Sequence, residues 1–224
     1  MGYYIDLEKI SIDDYITKLQ FAYLPPGRLI LKDKLNERFE YFKRIGIKNI
    51  KELHLRLKKK DKFTELSKID CLSDDYLTIL LRELNSLLPK PNKFADFSLI
   101  SKDTIKKLEE IGIKNTEQLY EKIISRADRK KFAETSGISN EEIIELTKLT
   151  DLSRIKWVGV TYARILYELG TDTVEKISKS DPFDLHTEIN KLISKQNIYK
   201  GQIGLNDVKI LIETASELPM EIEY

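Results

Sequence analysis

The sequence predicts an all-α protein in which one helix–glycine–helix unit is used three times. Three observations lead there. The segments RIGIKNIKEL (44–53), EIGIKNTEQL (110–119) and ELGTDTVEKI (168–177) align on Gly46, Gly112 and Gly170. Apolar residues stand seven, four and one positions before each glycine: Phe39, Phe42 and Ile45; Ile105, Leu108 and Ile111; Ala163, Leu166 and Leu169. That spacing is one face of an α-helix. A later landmark also recurs, because Ser73 and Ser139 each lie 27 residues beyond their glycine and Asn206 lies 36 beyond Gly170. Two landmarks in one register define a repeat.

Taken in chain order, residues 1–24 carry Tyr3, Tyr4, Tyr15, Phe21 and Tyr23, and form a helical extension expected to pack on the first unit. Leu24-Pro25-Pro26-Gly27 interrupts the chain, since proline cannot continue a helix. The first unit spans 25–91, and Leu88-Pro89-Lys90-Pro91 closes it as the expected subdomain boundary. The second unit spans 92–150 and the third 151–224. Within each unit glycine stops the first helix by taking a left-handed conformation. Asn49, Asn115 and Thr173 then cap the next helix. Glu52 and Gln118 complete capping boxes in the first two units, whereas Lys176 occupies that place in the third. Ser73, Ser139 and Asn206 are read as caps of a later helix, with an insertion near KQNIYKGQI in the third unit. The acidic pairs Asp13-Asp14, Asp74-Asp75 and Glu141-Glu142 sit at helix starts, where the dipole favours negative charge.

Composition limits the functional classes. The chain is 41% hydrophobic and 33% charged, with a net charge of +1, so no global basic excess advertises nucleic acid. No apolar run approaches membrane-spanning length, and the start MGYYIDLEKI has no signal-peptide character. With a lone cysteine, Cys71, expected as a small buried residue, these features lead to an expected cytoplasmic location. His54 and His186 fall in different units and read as helix-surface or cap residues. No Gly-x-Ser-x-Gly elbow, phosphate loop or Cys/His pair is present. A non-enzymatic protein without cofactor or metal is the expectation.

Between the second and third units stands LSRIKWVGVTYARILYELG (152–170), in which Ile155 leads, Val158-Gly159 turn, and Ala163 and Leu166 follow on a helix. This resembles a helix-hairpin-helix motif, whose hairpin has the form Gly–aliphatic–Gly. The wider chain, from about residue 24, resembles an uncharacterised microbial family of tandem helix-hairpin-helix proteins. The likeness rests on ERFEYFKRIGIKNIKEL, DDYLTILLRELNSLLPKP and RIKWVGVTYARILYELGTDTVEKISKSDP. It implies tandem helix-hairpin-helix repeats in a SAM-like helical bundle and, by analogy, contact with a DNA backbone. Trp157 replaces the first glycine of the hairpin, and the related turn FSLISKDT (97–104) has none.

Two candidate sites follow. Hairpin N–H groups at Val158 and Gly159, with Arg154, Lys156 and Arg164 beside them, could hold phosphates without sequence preference. Residues 43–62 concentrate basic charge, with Lys48, Lys51, Lys58, Lys59 and Lys60 as further phosphate contacts. Trp157 is either a core residue over the hairpin or an anchor for a partner protein. Two functions remain: binding of a nucleic-acid backbone, and protein interaction or self-association on a fold that has lost its phosphate contacts.

Overall fold

A computed structural model describes residues 2–224. The chain is all-helical among these residues, and it divides into two compact units. Ile5–Leu88 forms one; Pro89–Tyr224, with the residues up to Tyr4, forms the other. Pro89 and Pro91 stand at the division.

In the first unit, α1 (Ile12–Phe21) is opened by a capping box between Ser11 and Asp14. It buries Ile12, Tyr15 and Leu19. A 3₁₀ helix begins at Pro26, where a missing N–H costs nothing. Then come α2 (Leu35–Arg44), α3 (Ile50–Lys58), α4 (Lys60–Leu66) and α5 (Asp74–Ser86). Residues of α1 share the core of this unit with Phe39, Phe42, Leu53, Leu77 and Leu80.

The second unit repeats the last four helices twice. α6 (Lys102–Glu110), α7 (Thr116–Tyr120), α8 (Arg126–Ser136) and α9 (Asn140–Leu152) form one set. α10 (Val160–Glu168), α11 (Val174–Ser178), α12 (Pro182–Gln196) and α13 (Leu205–Ser216) form the other. Both sets contribute to a single hydrophobic core. In all three sets the second helix packs on the fourth: α3 on α5, α7 on α9, α11 on α13.

The turn before each second helix has one construction. Gly46, Gly112 and Gly170 hold φ of +87°, +81° and +78°. Asn49, Asn115 and Thr173 accept the N–H of Glu52, Gln118 and Lys176 at 2.9, 3.0 and 3.1 Å. The side chains of Glu52 and Gln118 reach back one residue further than a capping box does, to the N–H of Lys48 (2.8 Å) and Lys114 (2.7 Å). Of the apolar stripe, the positions seven and four before glycine are largely interior, with Ile105 half-buried. The position one before is the C-cap in each case, and Ile111 is exposed there.

The third set departs at its last cap. Gly204, not Asn206, caps α13, and the Asp207 carboxylate accepts the Gly204 N–H. Asn206 already lies inside the helix. The extra length is spent on a longer α12 and on the loop after it, where Asn190 Nδ2 donates to Ile203 O and Asn190 Oδ1 accepts the Ile203 N–H.

Candidate functional site

The hairpin between α9 and α10 is built from the inside. Asn92 Nδ2 donates to Ser153 Oγ at 2.9 Å and to Val158 O at 3.0 Å, which ties both arms together. The chain reverses at Trp157, whose φ of +65° is one that glycine adopts freely and tryptophan rarely does. Val158 N–H turns back to Ile155 O, and Gly159 N–H to Trp157 O, both at 3.1 Å. The two hairpin donors expected to face a phosphate are thus spent within the turn. Val158 is buried and Gly159 is exposed as the N-cap of α10.

The basic residues of the hairpin are also drawn inward. Arg154, expected at a phosphate, is 2% exposed. Its guanidinium pairs with Asp151 at 2.8 Å, donates to Tyr3 O (3.2 Å) and Pro219 O (2.7 Å), and lies 4.8 Å from the Tyr120 ring centroid. A buried cation in that setting offers nothing to a ligand, and its role is structural. Lys156 is 8% exposed, with its ammonium 4.3 Å from the Trp157 ring centroid. Arg164 is half-buried and bound to Glu168 (2.7 Å) and Ser98 Oγ (3.0 Å).

Trp157 itself is 43% exposed, so the core reading does not hold for it. Its ring borders an open groove of about 440 Å³. Tyr162, Ile165, Tyr199, Ile203 and Ile210 are among the residues that line it, with Asp207 at its side. The hydroxyl of Tyr162 is enclosed without a hydrogen-bond partner among the described residues. Burial pushes that phenol above the ordinary tyrosine range, and the Asp207 charge adds to the shift.

Asp151 is the residue that sequence reasoning passed over. Its Oδ2 accepts the N–H of Val174 at 2.9 Å and the hydroxyl of Tyr224 at 3.0 Å. In the first two sets the equivalent N–H, of Ile50 and Thr116, bonds to a backbone carbonyl, Ile10 O and Asn92 O. The carboxylate replaces a peptide strand there, and Arg154 compensates its charge. The available signal was the Asp-x-x-Arg spacing at the apolar end of α9.

The lysines expected to extend the site belong to the other compact unit. Lys51 is paired with Glu8 at 2.7 Å, while Lys48, Lys58, Lys59 and Lys60 are exposed. Lys59 is at once the C-cap of α3 and the N-cap of α4, so three consecutive exposed lysines stand at one corner. His54 is buried, not on a helix surface, with Nε2 2.7 Å from Asn85 Oδ1. Cys71 is half-buried at the core edge rather than enclosed. No helix of the described residues is long and apolar enough to cross a membrane.

Fold and site together define an all-helical protein with an aromatic groove at an inter-helical hairpin. The chain belongs to the family described as Domain of unknown function (DUF4332), whose model matches residues 98–218 and so takes in the hairpin and groove. No curated protein and no solved structure matches it.

Proposed function

We propose that the chain is a non-catalytic binding module of tandem helix-hairpin-helix type, and that its best-formed hairpin docks a partner protein rather than a nucleic-acid backbone. One observation carries the reading: the hairpin commits its cations and its N–H groups to partners of its own while leaving Trp157 half-exposed over an apolar groove. Phosphate binding needs free donors and positive charge at the surface. Protein interfaces instead centre on tryptophan and tyrosine in apolar surroundings. The left-handed backbone at Trp157 supports the hairpin assignment, because the related motif has glycine there.

Trp157 is the only tryptophan, so its emission reports on this site alone. Peptides selected from a displayed random library on the folded protein should shift that emission to the blue. Their affinity should fall at least tenfold on Trp157→Ala. Selected peptides indifferent to that change, or a 20-base-pair duplex that quenches Trp157 at low salt, would overturn the reading.

A second reading rests on Lys58, Lys59 and Lys60, exposed together at the α3–α4 corner. These supply what the hairpin lacks for contact with a nucleic-acid backbone. Anisotropy of a labelled duplex should then weaken steeply with salt, and Lys58→Glu with Lys59→Glu and Lys60→Glu should abolish binding. Binding that is absent at low salt, or unchanged in the triple variant, excludes this corner.

A further inference from the structure

A second groove, independent of the hairpin, runs between α8 and α9. From α9 it takes Asn140, Ile143, Ile144, Thr147 and Lys148, the i, i+3, i+4, i+7, i+8 stripe of one helix face. From α8 come Arg126, Arg129 and Lys130, again neighbours on one face, and Tyr224 closes the lining. The groove encloses about 490 Å³. Its floor is apolar, and Ile144 is left 48% exposed in it.

The charged side chains that line it are of one sign, and the Glu223 carboxylate stands at its edge, where Oε2 accepts the Arg126 N–H at 3.3 Å. Four cations line the groove, and no carboxylate side chain does. Lys148 is tied to Asp172 at 2.5 Å, and Arg129 donates to Ile123 O and Ile124 O at 2.8 and 3.2 Å. Those bonds to carbonyls hold the guanidinium in place, and the nearby Glu223 carboxylate offsets part of its charge. Arg126 and Lys130 are exposed on the rim, the Arg126 guanidinium donating to Tyr224 O. In a chain of net charge +1 this is a local asymmetry, not a reflection of overall composition.

We propose that this groove binds an acidic amphipathic helix of a partner protein, with apolar residues on Ile143, Ile144 and Thr147 and carboxylates towards Arg126, Arg129 and Lys130. A phosphate backbone fits poorly, because it would leave the exposed isoleucine floor uncovered. An uncharged apolar helix would leave the cation rim unused. A helix with i, i+3, i+4, i+7 apolar residues flanked by glutamates answers both features. The floor would supply most of the affinity, and the rim the on-rate and the choice of partner.

The probe is a fluorescein-labelled 18-residue helical peptide with leucines at that spacing and glutamates elsewhere. Two controls share its length: one with lysine for glutamate, and one with the same composition scrambled. The acidic peptide should bind, and Ile144→Asp should weaken it at least tenfold. Lys130→Glu should weaken it severalfold, as should raising salt from about 50 to 300 mM. Both positions are exposed, so an unchanged thermal transition shows that the variants are folded. Equal binding of the lysine or scrambled peptide, or indifference to Ile144→Asp, overturns the proposal. Trp157→Ala, outside this groove, should leave the binding intact; its loss there would equally overturn the assignment.

Discussion

Trp157 combines an unfavourable backbone with an exposed ring. Holding a non-glycine residue at φ +65° costs about 1 kcal/mol. Glycine at 157 removes that strain but also removes the ring packed on Lys156. Trp157→Gly is therefore expected to leave folding stability within about 1 kcal/mol of the parent. Trp157→Ala, which keeps the strain and loses the ring, should be the less stable of the two, as urea midpoints would show. Arg154 is the opposite case, a buried cation with each of its three guanidinium nitrogens bonded in the interior. Removing one partner of such a pair leaves the other charge buried and uncompensated. Arg154→Ala should cost about 3–5 kcal/mol in urea unfolding, and binding data on that variant would report misfolding rather than a lost contact.

A third residue sets a pH dependence. Glu142 accepts from Thr104 and from the Ser139 hydroxyl (2.9 Å), and these bonds hold its carboxyl below the ordinary glutamate range. The folded value is depressed, so the stabilisation is complete above the unfolded glutamate value of about 4.3. It is lost as the pH falls through the folded value. Urea midpoints of Glu142→Gln should lie below the parent at pH 7, and the gap should narrow as the pH falls below the ordinary glutamate range.

Among the elements, the three glycine turns share one physics. At Gly46, Gly112 and Gly170 an added Cβ meets nothing within 4 Å, so a substitution acts through φ alone. Alanine at any of them should cost about 1–2 kcal/mol, and asparagine less, because it tolerates the left-handed region. An alanine variant as stable as the parent would show that the turn can relax. This much was legible from spacing, since glycine stops and Asn or Thr caps are local signals. The cap of α13 was not. Asn206 is a good cap by type, but Gly204 won because Asp207 reaches back to its N–H and Asn190 fixes Ile203 just ahead. The deciding contact came from α12, too far along the chain for a local pattern to contain.

At the scale of the whole molecule, each compact unit gathers irregular backbone around one buried arginine on a tyrosine. Arg38 donates to Cys71 O (2.8 Å), Ile30 O (3.0 Å) and Asp33 O (2.7 Å), with the Tyr76 ring centroid 3.9 Å away. Arg154 does the same with Tyr3, Pro219 and Tyr120. Residues 5–88 hold their own core and their own arginine. Expressed alone they should unfold cooperatively in urea, with helical circular dichroism. A non-cooperative fragment would refute that autonomy.

The sequence by itself determined the helices, the three glycine stops and most caps, because each depends on residues within a few positions of one another. Only the tertiary structure decided which charges face solvent. Arg154 and Lys156 flank a hairpin glycine and read as phosphate ligands, yet Asp151, Tyr3, Pro219 and the Trp157 ring draw them inward. A cation's partner is chosen by distance in space, and Tyr3 and Pro219 come from far along the chain. For the same reason the cation-rimmed groove of α8 and α9 was invisible until the two helices were laid side by side.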